Sequence, residues 1–253
     1  MFFLEAGINH FGDKKEIDRV LKFFLKSSFQ NITFMLQTDD FYHRYVKKGF
    51  NFKLDKNYYN HLIEICKKNK KKIGLSVCDI KTFDEVKDLK FDFYKLLSIS
   101  INNFNLINIL KSKKKPIFIS TGFNSNDKKI KKAIKSFDLK KNLTILHTPM
   151  TYNVQNLNFK RILRLREKFN LPVGYSNHNS DSNSLNILSA YAPSAIFIYI
   201  KPTRKKKRVY PDDKHALYLD ELETMKKEYE KYLISHEKIK TNKKVTIFNE
   251  IKK

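Results

Sequence analysis

The sequence contains little cysteine and little glycine, and each shortage excludes a class of protein. Its two cysteines, Cys66 and Cys78, are too few for a disulfide framework and too far apart for a redox pair or a zinc knuckle. Both are therefore expected as reduced thiols in the core. Only 6 of the 253 residues are glycine, and neither G-x-G-x-x-G nor G-x-x-x-x-G-K occurs. The glycine-rich loops of dinucleotide-binding and P-loop folds are therefore not expected.

Long apolar runs are also missing. No stretch approaches the roughly 20 apolar residues that span a bilayer, and the N-terminus lacks the charged-then-apolar layout of a signal peptide. A membrane partner is therefore not expected, and the cytoplasm is the default location.

Acidic residues are outnumbered by basic ones, since 51 Lys and Arg face 26 Asp and Glu, for a formal charge of +25. A basic surface suits nucleic acids or anionic membranes, which gives one hypothesis for function. However, lysine is spread over every predicted helix and no recognition-module pattern accompanies it, so nucleic-acid binding is not favoured. A hydrophobic fraction of 41% is enough for a globular core.

Short β-branched or aromatic runs alternate with longer amphipathic stretches, which is typical of repeated βα units. Strands are predicted at 1–6, 32–37, 72–77, 92–97, 116–121, 143–148, 171–176 and 194–200. Asp13 is predicted to cap the first helix, and Asn124, Ser125 or Asn126 the helix after the fifth strand. Eight such units predict a (β/α)8 TIM barrel over residues 1–236, followed by a basic C-terminal tail over 237–253.

Two segments are longer than a minimal barrel needs. They cover residues 38–57 and 201–219, and each follows a predicted strand. Long loops at the strand ends of a barrel usually serve as lids or binding loops. Both segments are therefore expected to lie over the strand ends.

Polar side chains collect at the C-terminal ends of the predicted strands, where barrel enzymes carry their sites. They are Glu5, Asn9, His10, Gln37, Lys95, Ser98, Ser120, Thr121, His147, Tyr152, Ser176, Asn177 and His178. Glu5 and Lys95 interrupt apolar runs, where a charge costs several kcal/mol unless it meets a partner. A ligand site explains them, but so does an ion pair between the two. For His147 the structural alternative is a hydrogen-bonded core histidine.

Six motifs follow one another along the chain. They are LEAGINHFGD at 4–13, YKLLSISINNFNLI at 94–107, KPIFISTGFNS at 115–125, LHTPMTYN at 146–153, PVGYSNH at 172–178 and PDDKHAL at 211–217. Their sequences and their order resemble those in the N-terminal barrel domain of sialic acid synthases. Those enzymes condense phosphoenolpyruvate with an N-acetylated hexose. The resemblance implies a TIM barrel transferase of surface-glycan biosynthesis that takes these two small-molecule substrates.

Site residues follow from the resemblance, position by position. It implies that Glu5 is the catalytic carboxylate, that Lys95 holds phosphoenolpyruvate, and that Tyr152 and Asp212 belong to the sugar pocket. All four are predicted as catalytic residues. Substrate binding is predicted for Asn9, His10, Gln37, Ser98, Ser120, Thr121, His147 and Ser176.

The resemblance also implies a divalent metal, manganese or magnesium, with His178 as one of two histidine ligands. The second position carries Tyr199 instead, and a neutral phenol is a poor ligand, which argues against a tightly held ion. Other departures lie at substrate-facing positions: Met35 replaces a lysine, and Ser100 and Asn177 replace carboxylates.

Two further hypotheses for function arise from these residues. The first is an active, diverged synthase. The second is a weakened barrel that binds a sugar, a phosphorylated acid or a partner synthase without turnover. No segment corresponds to the family's antifreeze-like domain, which completes the site of a partner subunit, so a homodimer is left open. An active enzyme requires that Glu5, Lys95, Thr121, Tyr152 and His178 meet around one hollow at the mouth of the barrel.

Overall fold

A closed barrel of parallel strands forms the centre of the protein. The computed structural model describes residues 1–123, 126–137, 140–179, 181–204 and 209–238. Within them, eight parallel strands each pair with the next along the chain, and β8 pairs with β1. The strands are β1 (Phe2–Gly7), β2 (Asn31–Met35), β3 (Lys72–Val77), β4 (Phe93–Leu96), β5 (Ile117–Ser120), β6 (Leu143–His147), β7 (Val173–Ser176) and β8 (Ile196–Lys201). The predicted (β/α)8 barrel and the predicted strand positions are confirmed.

Helices follow the strands and cover the outside of the barrel. They are α1 (Lys14–Lys26), α2 (Asp39–Val46), α3 (Lys56–Lys68), α4 (Ile80–Asp84), α5 (Phe104–Ser112), α6 (Asp127–Ser136), α7 (Lys160–Phe169), α8 (Asn183–Leu188) and α9 (Leu222–Lys238). Asp13 caps α1 as predicted, and Asn126 is the residue that caps α6. None of the helices that the structure describes has the length and apolar composition needed to span a bilayer.

The segments predicted to lie over the strand ends do so. In 38–57, Tyr42 of α2 packs with Ile8, which follows β1. In 201–219, the described part returns to β8 and pairs with it as the short strand β9 (Leu217–Tyr218). Most of the predicted basic tail, from residue 239 onward, lies outside the described residues.

Alternation along the strands separates an outward set of side chains from an inward set. Outward residues such as Leu4 and Ile198 join the main hydrophobic core. The inward set includes an aromatic layer made of Phe3, Phe93, Phe118 and Phe197, with ring centroids between 4.5 and 5.8 Å apart. Gly74 makes room for this layer, because a Cβ there would lie 2.2 Å from the Phe93 ring.

Mostly polar side chains follow the aromatic layer toward the C-terminal ends of the strands. Because inward positions recur every two residues, the four phenylalanines are succeeded by Glu5, Lys95, Ser120 and Tyr199. The strand period thus places charged groups directly above an apolar floor.

Loss of one ring from the aromatic layer is expected to destabilise the barrel. Phe197 is fully buried and stacks on Phe3 at 4.5 Å. Phe197→Ala leaves a cavity and should lower the free energy of unfolding by about 3–5 kcal/mol, measured by urea denaturation. Phe197→Leu keeps more of the volume and should lose less. A loss below about 1 kcal/mol for the alanine variant would contradict a tightly packed floor.

Candidate active site

A buried ion pair lies at the centre of the polar layer. Lys95 Nζ is 2.5 Å from Glu5 Oε2 and donates to Ser176 Oγ at 3.1 Å, while Ser76 Oγ donates to Glu5 Oε1 at 2.9 Å. The side chain of Glu5 is 0% exposed and that of Lys95 is 1% exposed. Burial lowers the pKa of Lys95, and the Glu5 carboxylate opposes that shift. The group links β1, β3, β4 and β7 across the inside of the barrel.

Apolar side chains cover this ion pair. Met35 packs with Tyr199 and Ala216 in a small cluster, named here the apolar cover. The Tyr199 ring centroid lies 5.5 Å from Lys95 Nζ, and that of Phe197 in the aromatic floor lies 4.8 Å from the same nitrogen. A ligand that reaches Lys95 therefore has to displace part of the apolar cover.

A second polar group, named here the outer cluster, adjoins Tyr199. The ring centroid of His215 is 4.6 Å from that of Tyr199 and 5.0 Å from that of His178. His215 Nε2 is 3.7 Å from Asp212 Oδ1. Tyr152, which is 56% exposed, stacks on His215 at 5.9 Å. The predicted residues Tyr152, His178 and Asp212 thus meet around His215.

Burial sets the charge state of the outer cluster. It lowers the pKa of His178 to about 3, with smaller effects of His215 and Lys95 in the same direction, and lowers that of His215 to about 4. Burial and the Glu5 carboxylate raise the pKa of Asp212 to about 7. At neutral pH the cluster therefore presents two uncharged imidazoles beside a carboxyl group near its midpoint of titration.

The backbone at the end of β1 leaves space for the segment that carries Asp212. Gly7 follows a register shift after Glu5 and has φ +55, and a Cβ there would lie 2.8 Å from Asp212 Oδ2. Asn9 Nδ2 donates to the Ile200 carbonyl at 2.9 Å, and Asn9 Oδ1 accepts from the Asp212 N–H at 3.0 Å. The amide predicted to bind substrate thus holds the β8–β9 segment against β1.

The other residues predicted at the mouth are largely buried. His10 Nδ1 accepts a backbone N–H, and Gln37 Nε2 donates to Met35 Sδ at 3.0 Å. Ser98 is 8% exposed and Ser120 is 2% exposed. Ser120 Oγ is buried and has no hydrogen-bond partner among the described residues.

Two predicted residues border a different pocket. Thr121 and His147, together with Arg161, line an open pocket of about 880 Å³. Thr121 Oγ1 donates to the Leu146 carbonyl at 2.9 Å, and His147 Nε2 is 2.7 Å from the Leu157 carbonyl oxygen. Neither hydrogen bond reaches Glu5 or Lys95, and the meeting of all predicted residues around one hollow stays a prediction.

His215 is the member of the site that the sequence analysis did not identify. It stands three residues after Asp212 in the motif PDDKHAL, and it is 7% exposed. The sequence offered one signal for this residue. It is a histidine directly before the apolar residues Ala216 and Leu217, which lead into β9.

The donor atoms were compared with what a divalent metal needs. No group of three or more His, Cys, Asp or Glu side chains in the described part of the chain is arranged to hold a metal ion. Tyr199 contributes a phenol, whose pKa is raised further by burial and by Glu5, so it remains protonated and ligates poorly. The imidazoles of His178 and His215 are the nitrogen donors of the outer cluster.

Comparison with known proteins identifies relatives over much of the chain. Residues 19–240 match the NeuB family. Pseudaminic acid synthase of Campylobacter jejuni subsp. jejuni serotype O:2 is 33% identical over 104 residues, which are 40% of this chain and 28% of the relative. N,N'-diacetyllegionaminic acid synthase of the same strain is 29% identical over 154 residues, 58% of this chain and 45% of the relative. The matches thus span less than half the length of these two relatives.

Solved structures share the fold. N-acetylneuraminic acid synthetase of Leptospira borgpetersenii serovar Hardjo-bovis has a TM-score of 0.82 at 20% identity, covering 96% of this chain and 85% of that chain. Spore coat polysaccharide biosynthesis protein spsE of Bacillus subtilis has a TM-score of 0.81 at 17% identity, covering 94% and 69%. At these identities the likeness shows the barrel fold alone.

Removal of one charge from the ion pair is expected to destabilise the protein more than removal of both. Lys95→Met leaves Glu5 buried without a counter-ion and should lower the free energy of unfolding by about 3–5 kcal/mol. The double variant Glu5→Gln/Lys95→Met leaves no buried charge and should be more stable than Lys95→Met. Urea denaturation measures these two variants and the single variant Glu5→Gln. A double variant that loses the sum of the two single losses would show that the charges do not interact.

His147 is expected to make stability depend on pH. Burial lowers its pKa in the folded protein to about 4, against an ordinary value of 6.5. The unfolded chain binds the proton first, so the free energy of unfolding falls as the pH decreases from about 6.5 to about 4 and is unaffected by this residue above that range. His147→Gln keeps a donor for the Leu157 carbonyl and cannot titrate. Urea denaturation between pH 4 and 8 should show a shallower slope than wild type, and an equal slope would refute the assignment.

Proposed function

Because the chain belongs to the NeuB family, we propose that it condenses phosphoenolpyruvate with an N-acetylated hexose. The family, together with the synthases that are similar to this chain, supports a role in the biosynthesis of sialic-acid-like sugars. The observation that carries the proposal is the group formed by Glu5, Lys95 and Ser176, which lies inside the barrel toward the C-terminal ends of the strands.

Each part of the site suits one need of that reaction. Lys95 supplies a cation for the phosphate or carboxylate of phosphoenolpyruvate. Glu5 is placed to move protons as the enol carbon attacks the sugar aldehyde, water adds and phosphate leaves. Tyr152 and Asp212 of the outer cluster would contact the acceptor sugar. A divalent ion, if one binds, would be held at His178 of the outer cluster and would supply Lewis-acid polarisation of the aldehyde oxygen.

A barrel that binds a sugar or a phosphorylated acid, or a partner synthase, without turnover is the second candidate. The apolar cover favours this second candidate, because Met35 and Tyr199 pack over Lys95, the lysine of the ion pair. In addition, the charge of Lys95 is already matched by Glu5 at 2.5 Å. A bound anion has to compete with that carboxylate for the ammonium group.

Phosphate release separates the two candidates. We expect the full chain to release phosphate from phosphoenolpyruvate only when an N-acetylated hexose is present, in assays with and without Mn²⁺. Lys95→Met should abolish release and weaken phosphoenolpyruvate binding in calorimetry. Lys22→Met removes an equal charge from the exposed face of α1 and should change neither.

The two measurements together have distinct outcomes. Binding of phosphoenolpyruvate without phosphate release, with every acceptor tried, would replace the synthase with the second candidate. If the protein neither binds phosphoenolpyruvate nor releases phosphate, the synthase proposal fails.

A further inference from the structure

We propose that the turn at the end of α2 attaches the protein to the surface of an anionic lipid bilayer. This turn, named here the α2 tip, covers residues 44–50. It carries the cations Arg44, Lys47 and Lys48 together with two exposed apolar side chains, those of Val46 and Phe50. The inference goes beyond the proposed condensation and does not depend on it, because attachment to lipid needs no turnover.

Backbone hydrogen bonds hold the α2 tip in one conformation. The Gly49 N–H donates to the Val46 carbonyl at 2.9 Å, and the Phe50 N–H donates to the Tyr45 carbonyl at 2.9 Å. These two bonds and the φ of +79 at Gly49 form a turn that commonly ends a helix. A Cβ at Gly49 would meet nothing within 4 Å, and residues 46–51 are all exposed, so the turn projects into solvent. An ordered turn therefore presents Val46 and Phe50 to the outside.

The apolar side chains of the α2 tip stand in contact with water. Val46 is 56% exposed and Phe50 is 46% exposed. Aromatic rings support them from behind, since the ring centroid of Phe52 lies 6.1 Å from that of Phe50 and 5.1 Å from that of Tyr45. Burial of exposed apolar surface against a partner is favourable. The boundary between the headgroups and the acyl chains of a bilayer takes up side chains of this kind.

The charge of the α2 tip has one sign. No acidic residue occurs between residues 41 and 54. Arg44, Lys47 and Lys48 are exposed, and none of them forms an ion pair with another residue in the described ranges. The ammonium group of Lys48 lies 5.4 Å from the centroid of the Tyr45 ring. Anionic headgroups attract such cations, and the formal charge of +25 on the whole chain adds to this attraction.

The shape of the α2 tip favours lipid over nucleic acid. Proteins that bind single strands set aromatic rings along a groove, so that bases stack on them. Here the Tyr45 ring packs against Phe41 at 4.5 Å, which leaves Phe50 as the exposed ring, and Val46 has no face on which a base could stack. A projecting turn with two apolar groups among three cations suits a flat anionic surface. The lack of long apolar runs argues only against a spanning helix, and attachment at the headgroups needs none.

Vesicle sedimentation tests the α2 tip. The full chain is mixed with vesicles of phosphatidylcholine alone and with vesicles that also contain phosphatidylglycerol, at low and at high salt. We expect the wild type to bind the second kind more tightly, and to bind it less as the salt concentration rises. Lys47→Ser/Lys48→Ser and Val46→Ser/Phe50→Ser should each lower the partition coefficient by about tenfold or more.

Two matched variants separate the α2 tip from the overall charge and apolar content of the surface. Lys131→Ser/Lys132→Ser removes two exposed lysines from α6. Leu163→Ser/Ile187→Ser removes two apolar side chains that are 46% and 57% exposed. Both variants should bind the anionic vesicles nearly as well as the wild type does.

Each result decides the matter. The proposal is overturned if the wild type does not bind the anionic vesicles, if a tip variant binds them as the wild type does, or if the matched variants lose as much binding. Tip variants that lose binding to a single-stranded oligonucleotide, measured by fluorescence anisotropy, but keep binding to vesicles would assign the tip to nucleic acid instead. Circular dichroism checks folding, and Lys47→Gln/Lys48→Gln or Val46→Thr/Phe50→Thr replaces a variant that does not fold. Phosphate release is not part of the test, so its failure leaves the proposed condensation unaffected.

Discussion

The structure depends on two opposite charges that meet where water cannot reach them. Glu5 and Lys95 come from β1 and β4, so they touch only if the sheet closes with its strands in one register. A slip of one residue would turn either charge outward into the apolar core between sheet and helices. Ser76 and Ser176 supply further hydrogen bonds to the pair. The strand register and the chemistry of the site therefore involve the same group, because a shifted register would leave each buried charge without its partner.

Tyr199 divides the polar residues of the mouth into two environments. On one side the ammonium group of Lys95 contacts two aromatic rings and a carboxylate. On the other side lie the uncharged imidazoles of the outer cluster. The phenol ring of Tyr199 packs against Met35 between these two environments.

The barrel and the inner half of the site were predictable from the sequence, because strand alternation sends Phe3 and Glu5 to the same side of the sheet. Glu5 and Lys95 could be recognised as site residues because each is a charge within an apolar run. That they pair with each other follows only from the register of the strands in the structure. His215 lies on an irregular segment, where neither the strand period nor the helix period predicts which way a side chain points. Thr121 is the residue immediately after β5, and its hydroxyl donates to the Leu146 carbonyl. Such positions depend on tertiary contacts that no local pattern encodes.

The phenylalanine floor determines the route that molecules take. Four packed phenylalanine rings fill the barrel beneath Lys95, so this end of the cylinder is closed. Under the proposed condensation, the two substrates would have to enter through the same opening, with the one seated deeper entering first, and the product would leave by it. The closed end of the cylinder thus implies an ordered sequence of binding for that reaction.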